Sequence, residues 1–210
     1  MAKTSINPAL GTVPVSPPQS ARLLSALAVA TGAVWTVAVT LIGTQAVSDP
    51  VGAGYDAANR VLTLALLLLV GYAVVHWRTA APGVSTKGSV ALVVGSVLLL
   101  VGNVLEFWMV LISSRHTEKT ATRLGEAEAF WGSGAGWVLF VLGMLATIAA
   151  AVMLGRAIGG PRGWILVVLA LVGLISTALW AVSPLLAGAA GLAFAGWLVG
   201  LAQARQLPVR

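Results

Sequence analysis

Glu106 is the only acidic residue placed inside an apolar segment, in the stretch Gly102-Asn103-Val104-Leu105-Glu106-Phe107-Trp108. A carboxyl so placed is a candidate for handling protons or cations, because ionisable groups in apolar segments gather at ion pathways and need a partner nearby. Asn103 is the neighbouring group able to hydrogen-bond it. At about 100° per helical residue, Gly95, Gly102, Glu106 and Ser113 share one face, with Asn103 beside it. The carboxyl thus lies on a stripe of small residues that would face other helices. A depth count supports a different role. Arg60 lies near one end of the preceding apolar segment, and counting along the antiparallel neighbour brings Glu106 to the same level. There an ion pair with Arg60, or water, satisfies both groups.

The other chemistry-bearing residues do not assemble. His76 and His116 fall on opposite sides of the expected topology, so they cannot face one haem, and neither has a further ligand at metal spacing. Gly132-Ser133-Gly134 has the look of a nucleophile turn. An intramembrane serine hydrolase needs a histidine base on a neighbouring helix, and the chain after His116 contains no histidine. Cysteine is absent, which removes disulfides, thiolate metal sites and thiol catalysis together. No cofactor is expected.

The elements that must position these residues are set by composition. Hydrophobic residues make up 59% of the chain and charged residues 9%, with a mean hydropathy of +0.97. A water-soluble domain carries about a quarter charged residues, and this chain lacks the polar surface to cover itself. The net charge of +6 does not indicate nucleic acid, because the basic residues are strung singly between apolar runs. The partner this pattern implies is the lipid bilayer.

Six segments meet the requirement of about 20 apolar residues for a span: 22–44, 58–77, 88–113, 136–158, 163–182 and 184–204. The expected fold is an all-α transmembrane bundle over 21–207, preceded by a disordered tail at 1–20 that holds Pro8, Pro14, Pro17 and Pro18. The first apolar run is long for a signal peptide and lacks a small-x-small cleavage site, so it reads as an uncleaved helix. Ser183 as N-cap and Pro184 at the first helical position separate the last two segments into a tight hairpin.

Connections alternate between two sides. One holds Lys3, Arg22, Arg78, Lys87, Arg156, Arg162, Arg205 and Arg210 with no acid. The other holds Arg60, Arg115, Lys119 and Arg123 together with Asp49, Asp56, Glu118, Glu126 and Glu128. The positive-inside rule assigns the first side, and with it both termini, to the cytoplasm. Trp77 and Trp164 fall at inner ends; Trp108, Trp131, Trp137 and Trp180 fall near outer ends, as an aromatic belt requires. Trp35 and Trp197 sit deeper and are expected to pack. The excess of arginine over lysine suits a GC-rich bacterial genome, which would place the protein in the plasma membrane.

Small residues supply the expected packing code, since close backbone approach replaces the hydrophobic effect between helices in lipid. Gly143, Thr147, Ala151 and Gly155 form a four-residue series on the fourth segment. Gly196 and Gly200 make a GxxxG pair on the sixth. Gly88, Gly95 and Gly102 recur every seven residues on the third. These seams are expected within the chain, though a second copy or another membrane protein would use the same code. The two halves share only generic Gly and Leu matches, so no inverted repeat is assigned.

Three function classes follow: a structural or accessory membrane protein that binds partners, a small proton- or cation-coupled transporter or channel using Glu106, and an enzyme acting on a lipid-linked substrate through the outer 114–134 loop. The first leads. The apolar segments offer few groups to line a path, chiefly Thr36, Thr40, Thr63, Asn103, Glu106, Thr147, Ser176 and Thr177, and no acid/base pair assembles.

Overall fold

Apolar runs without interior proline leave the backbone one way to satisfy its own polar groups away from water, which is the α-helix. In the computed structural model, residues 19–48, 53–80, 86–105, 135–179 and 182–204 are described. They form six helices: α1 (Gln19–Ser48), α2 (Ala53–Arg78), α3 (Thr86–Asn103), α4 (Ala135–Ile158), α5 (Gly160–Leu179) and α6 (Pro184–Ala204). Each is long and apolar enough to cross a membrane. No strand occurs among the described residues.

The helices overrun the apolar segments where polar residues continue them. α1 begins at Gln19 and carries on through Thr44 and Gln45 to Ser48, and α2 starts at Ala53, five residues before the apolar segment. The backbone of α3 widens to π geometry at Val104 and Leu105; the remainder of the expected 88–113 segment lies outside the described residues. α6 starts as its sequence dictates. Ser183 offers its carbonyl to the amide of Ala187 at 3.0 Å, the first bond of the helix, and Pro184 follows where no amide hydrogen is required.

Between α4 and α5 the turn is two glycines long. Gly159 and Gly160 hold φ of 74° and 59°, a left-handed conformation open to glycine at no steric cost. The Gly159 amide closes α4 on the Gly155 carbonyl at 2.9 Å, and the Gly163 amide opens α5 on the Gly159 carbonyl at 3.2 Å.

Each helix packs against its neighbours in the chain, and α1 also packs along α6, so the order closes on itself. Seams are made by backbone approaching backbone. A Cβ on Gly143 would lie 2.6 Å from the Leu99 amide nitrogen, and one on Gly102 would lie 2.7 Å from the Gly136 carbonyl oxygen. α3 and α4 are joined in this way along their length. α1 and α6 meet at Gly32 against Ala195 and at Gly191 against Thr36.

Large apolar side chains cover the outside as well as the inside. Leu64 and Leu67 on α2, Val94 and Val97 on α3, Val138 and Leu145 on α4, Ile165 and Val168 on α5, and Leu186 and Leu192 on α6 are all exposed. Such a surface is unfavourable in water and suits hydrocarbon. The described residues therefore form an all-helical architecture with six helices of membrane-spanning length, compatible with a membrane bundle.

Candidate functional site

Among the described residues, three groups of buried polar side chains each tie one helix to another, while Ser96 and Thr147 bond within their own helices. The first lies near the end of α3. Asn103 is fully buried, and its Nδ2 donates to Thr63 Oγ1 on α2 at 2.8 Å. Thr63 in turn donates to the Asn59 carbonyl one turn earlier at 3.0 Å. Asn103 Oδ1 has no hydrogen-bond partner among the described residues. The π-widened turn at Val104 and Leu105 follows directly, and such widenings recur at functional sites in helices. Glu106 and His116 lie outside the described residues. Arg60 is exposed, on the residue after buried Asn59.

At the opposite end of α2, His76 is buried, and its Nδ1 lies 3.3 Å from Ser89 Oγ at the start of α3. Tyr72, one turn earlier, donates its hydroxyl to the Leu198 carbonyl of α6 at 3.0 Å. The rings of Tyr72 and His76 stand 5.8 Å apart. α2 is thus tied to α3 at both ends and to α6 from the side.

An aromatic stack makes up the third group. Trp35 of α1 lies on Phe194 of α6 at 4.4 Å between ring centroids, and Phe194 meets Trp197 at 5.4 Å. The indole Nε1 of Trp35 donates to Ser176 Oγ of α5 at 3.1 Å, and Ser176 donates to the Gly173 carbonyl. Gly173 makes room for the stack, since a Cβ there would lie 2.5 Å from the Phe194 Cα. Three helices meet at one indole. The Nε1 of Trp197 and the Oγ1 of Thr31 are buried with no hydrogen-bond partner among the described residues.

Hydroxyls expected to line any path are turned back on the helices. Thr36 donates to the Gly32 carbonyl, Thr40 to Thr36, Thr147 to Gly143 and Thr177 to Leu174, at 2.7 to 2.8 Å. This bonding is what hydroxyls do where water is scarce.

Of the small residues, Gly88, Gly95, Gly102, Gly143, Thr147, Ala151 and Gly155 are all buried. Gly95 and Gly143 face one another across the α3/α4 seam, while Gly155 packs on Gly163 across α4/α5. Gly200 takes the Leu166 side chain, whereas Gly196 is exposed, with Leu169 as its neighbour at 3.6 Å. Two residues of these clusters carry a local signal in the sequence: Asn59 lies one helical turn before Thr63, and Ser89 adjoins Gly88 on the small-residue stripe of α3.

Among the described residues there is no group of three or more His, Cys, Asp or Glu able to hold a metal ion. Comparison with known protein families, with characterised proteins and with solved structures finds no match for this chain.

Proposed function

We propose that this is a plasma-membrane protein of six spans with both termini in the cytoplasm, acting as a structural or accessory component that binds membrane partners. The observation that carries this reading is the state of the buried and half-buried hydroxyls. Thr36, Thr40, Thr147 and Thr177 each donate to a carbonyl of their own helix, and Ser176 and Thr63 are committed to Trp35 and Asn103. Seams in which backbones touch add to this, because they favour one fixed arrangement over alternating ones. Cytoplasmic termini rest on the charge asymmetry of the connections.

A second reading keeps one specific observation in its favour. Asn103 Oδ1 is a buried acceptor without a partner among the described residues, and Glu106 follows three residues later in the sequence. A proton- or cation-coupled carrier would use that carboxyl. The two readings separate in sealed proteoliposomes that enclose a pH-sensitive dye. The accessory role predicts that an imposed proton or sodium gradient decays as slowly as in protein-free vesicles. Faster decay that Glu106→Gln abolishes, with the variant incorporated to the same level, would establish the carrier instead.

A further inference from the structure

The sides of this six-helix ring are not joined alike. α3 and α4 touch through their backbones: a Cβ on Gly95 would lie 2.8 Å from the Thr147 amide nitrogen, and one on Gly102 would lie 2.7 Å from the Gly136 carbonyl oxygen. α6 approaches α1 as closely at Gly32 and Gly191, and α5 at Gly173. α2 packs extensively on α1, whereas the α2/α3 and α4/α5 sides are the thinnest of the ring. Neither glycine of α2 reaches α3, since Gly54 meets Gln45 of α1 and Gly71 meets nothing within 4 Å. The bundle thus divides into a four-helix block, α5–α6–α1–α2, and a two-helix block, α3–α4.

The two thin sides are held differently at their two ends. At one end Gly155 and Gly163 bring the α4 and α5 backbones together, and Gly159 and Gly160 turn between them with positive φ and nothing within 4 Å. α3 runs antiparallel to α4, so the same end carries the contact of His76 Nδ1 with Ser89 Oγ at 3.3 Å. At the opposite end side chains cross both gaps: Asn103 Nδ2 donates to Thr63 Oγ1 at 2.8 Å, and Thr177 Oγ1 lies 3.9 Å from Met144 Sδ. The Thr63 hydroxyl spends its hydrogen on the Asn59 carbonyl, so it can only accept from Asn103. The Asn103 carbonyl therefore faces away from it, without a partner among the described residues. Regions with few packed contacts open at lower free energy than a core, and an element-terminal turn can absorb the change as a hinge. We propose that the α3–α4 pair is a rigid arm that swings on its diglycine end, with the Asn103–Thr63 bond as the latch at the other. The backbone seams hold each block fixed, and the swing takes place between blocks. Opening the latch gives Asn103 Oδ1 access to a donor that the closed arrangement denies it. The inference rests on the fold and does not depend on the accessory role.

The test measures distances between pairs of spin labels on the full chain in phosphatidylcholine nanodiscs, by double electron–electron resonance. The chain has no cysteine of its own, and the labelled positions are all exposed. Leu64→Cys with Val101→Cys spans α2/α3 at the latch, Trp77→Cys with Val90→Cys spans the same helices at the hinge end, and Val101→Cys with Val138→Cys lies within the arm. The latch pair should show a minor longer distance beside the main one, and the other two pairs a single distance. Thr63→Val should raise the longer population about threefold, as the loss of one interhelical hydrogen bond in a membrane protein implies. Thr63→Ser keeps the hydroxyl and should leave it at the wild-type level. A single latch distance in both the wild type and Thr63→Val would overturn the proposal. So would equal broadening of all three pairs, which would show a bundle loosened throughout.

Discussion

Trp35 joins three helices, and its two contributions can be told apart by substitution. Trp35→Phe keeps a ring against Phe194, deletes the donor to Ser176 and leaves a small void where the indole was larger. The expected loss of stability is at least the hydrogen-bond contribution of about 0.5–1.5 kcal/mol, and below that of Trp35→Ala. Trp35→Ala also empties the stack and should cost about 3–5 kcal/mol. Unfolding of the detergent-solubilised protein by a denaturing surfactant measures both; equal losses would mean that the ring is not packed as described. Asn103 and Thr63 are expected to couple. Asn103→Leu and Thr63→Val should each destabilise, and the double variant should lose less than the two combined, with a coupling of about 0.6 kcal/mol and at most about 1.7. Strict additivity would show that the 2.8 Å bond is not made. The candidate site was only partly readable at this scale. Asn103 stood out as a hydrogen-bonding neighbour of Glu106, but nothing in a linear chain states that its Nδ2 donates to Thr63, forty residues away. The pairing of Trp35 with Ser176 is hidden for the same reason: it depends on which helices become neighbours.

Glycine means different things at different places on these helices, and the sign of a substitution should follow. Gly143 lies in the α3/α4 seam, where a side chain would meet the Leu99 amide at 2.6 Å. Gly143→Val must therefore push two helices apart, a loss of about 1–3 kcal/mol or more. Gly71 of α2 has nothing within 4 Å of where its Cβ would stand. Gly71→Ala should stabilise by about 0.5–1 kcal/mol through helix propensity alone. The same unfolding assay checks the pair, and a destabilised Gly71→Ala would contradict the open space described there. The six helices among the described residues were legible because a membrane-length apolar run is its own signal, and the Ser183–Pro184 break was legible because its capping chemistry is local. Helix ends were less so. Hydropathy marks where apolar residues stop, while α1 continues through Thr44 and Gln45, which a helix tolerates. Small-residue spacing identified a packing face on α4, yet the face serves two partners: Gly143 meets α3, and Gly155 meets α5. Spacing defines a face and leaves its neighbour open.

At the scale of the whole molecule, the apolar exterior, the ring-like packing order and the one-sided placement of acids all bear on the same claim, that six helices cross a bilayer with both termini inside. The natural chain contains no cysteine, so single cysteines can report topology without background. Intact cells would be treated with a membrane-impermeant maleimide, with and without permeabilisation. Ser48→Cys, Ser114→Cys and Ser183→Cys should be labelled in intact cells. Ser16→Cys, Ser85→Cys, Ala157→Cys and Gln206→Cys should be labelled only after permeabilisation. Labelling of Ser16→Cys and Gln206→Cys on opposite sides would mean an odd number of crossings, and labelling of both from outside would invert the orientation; either result would contradict the account.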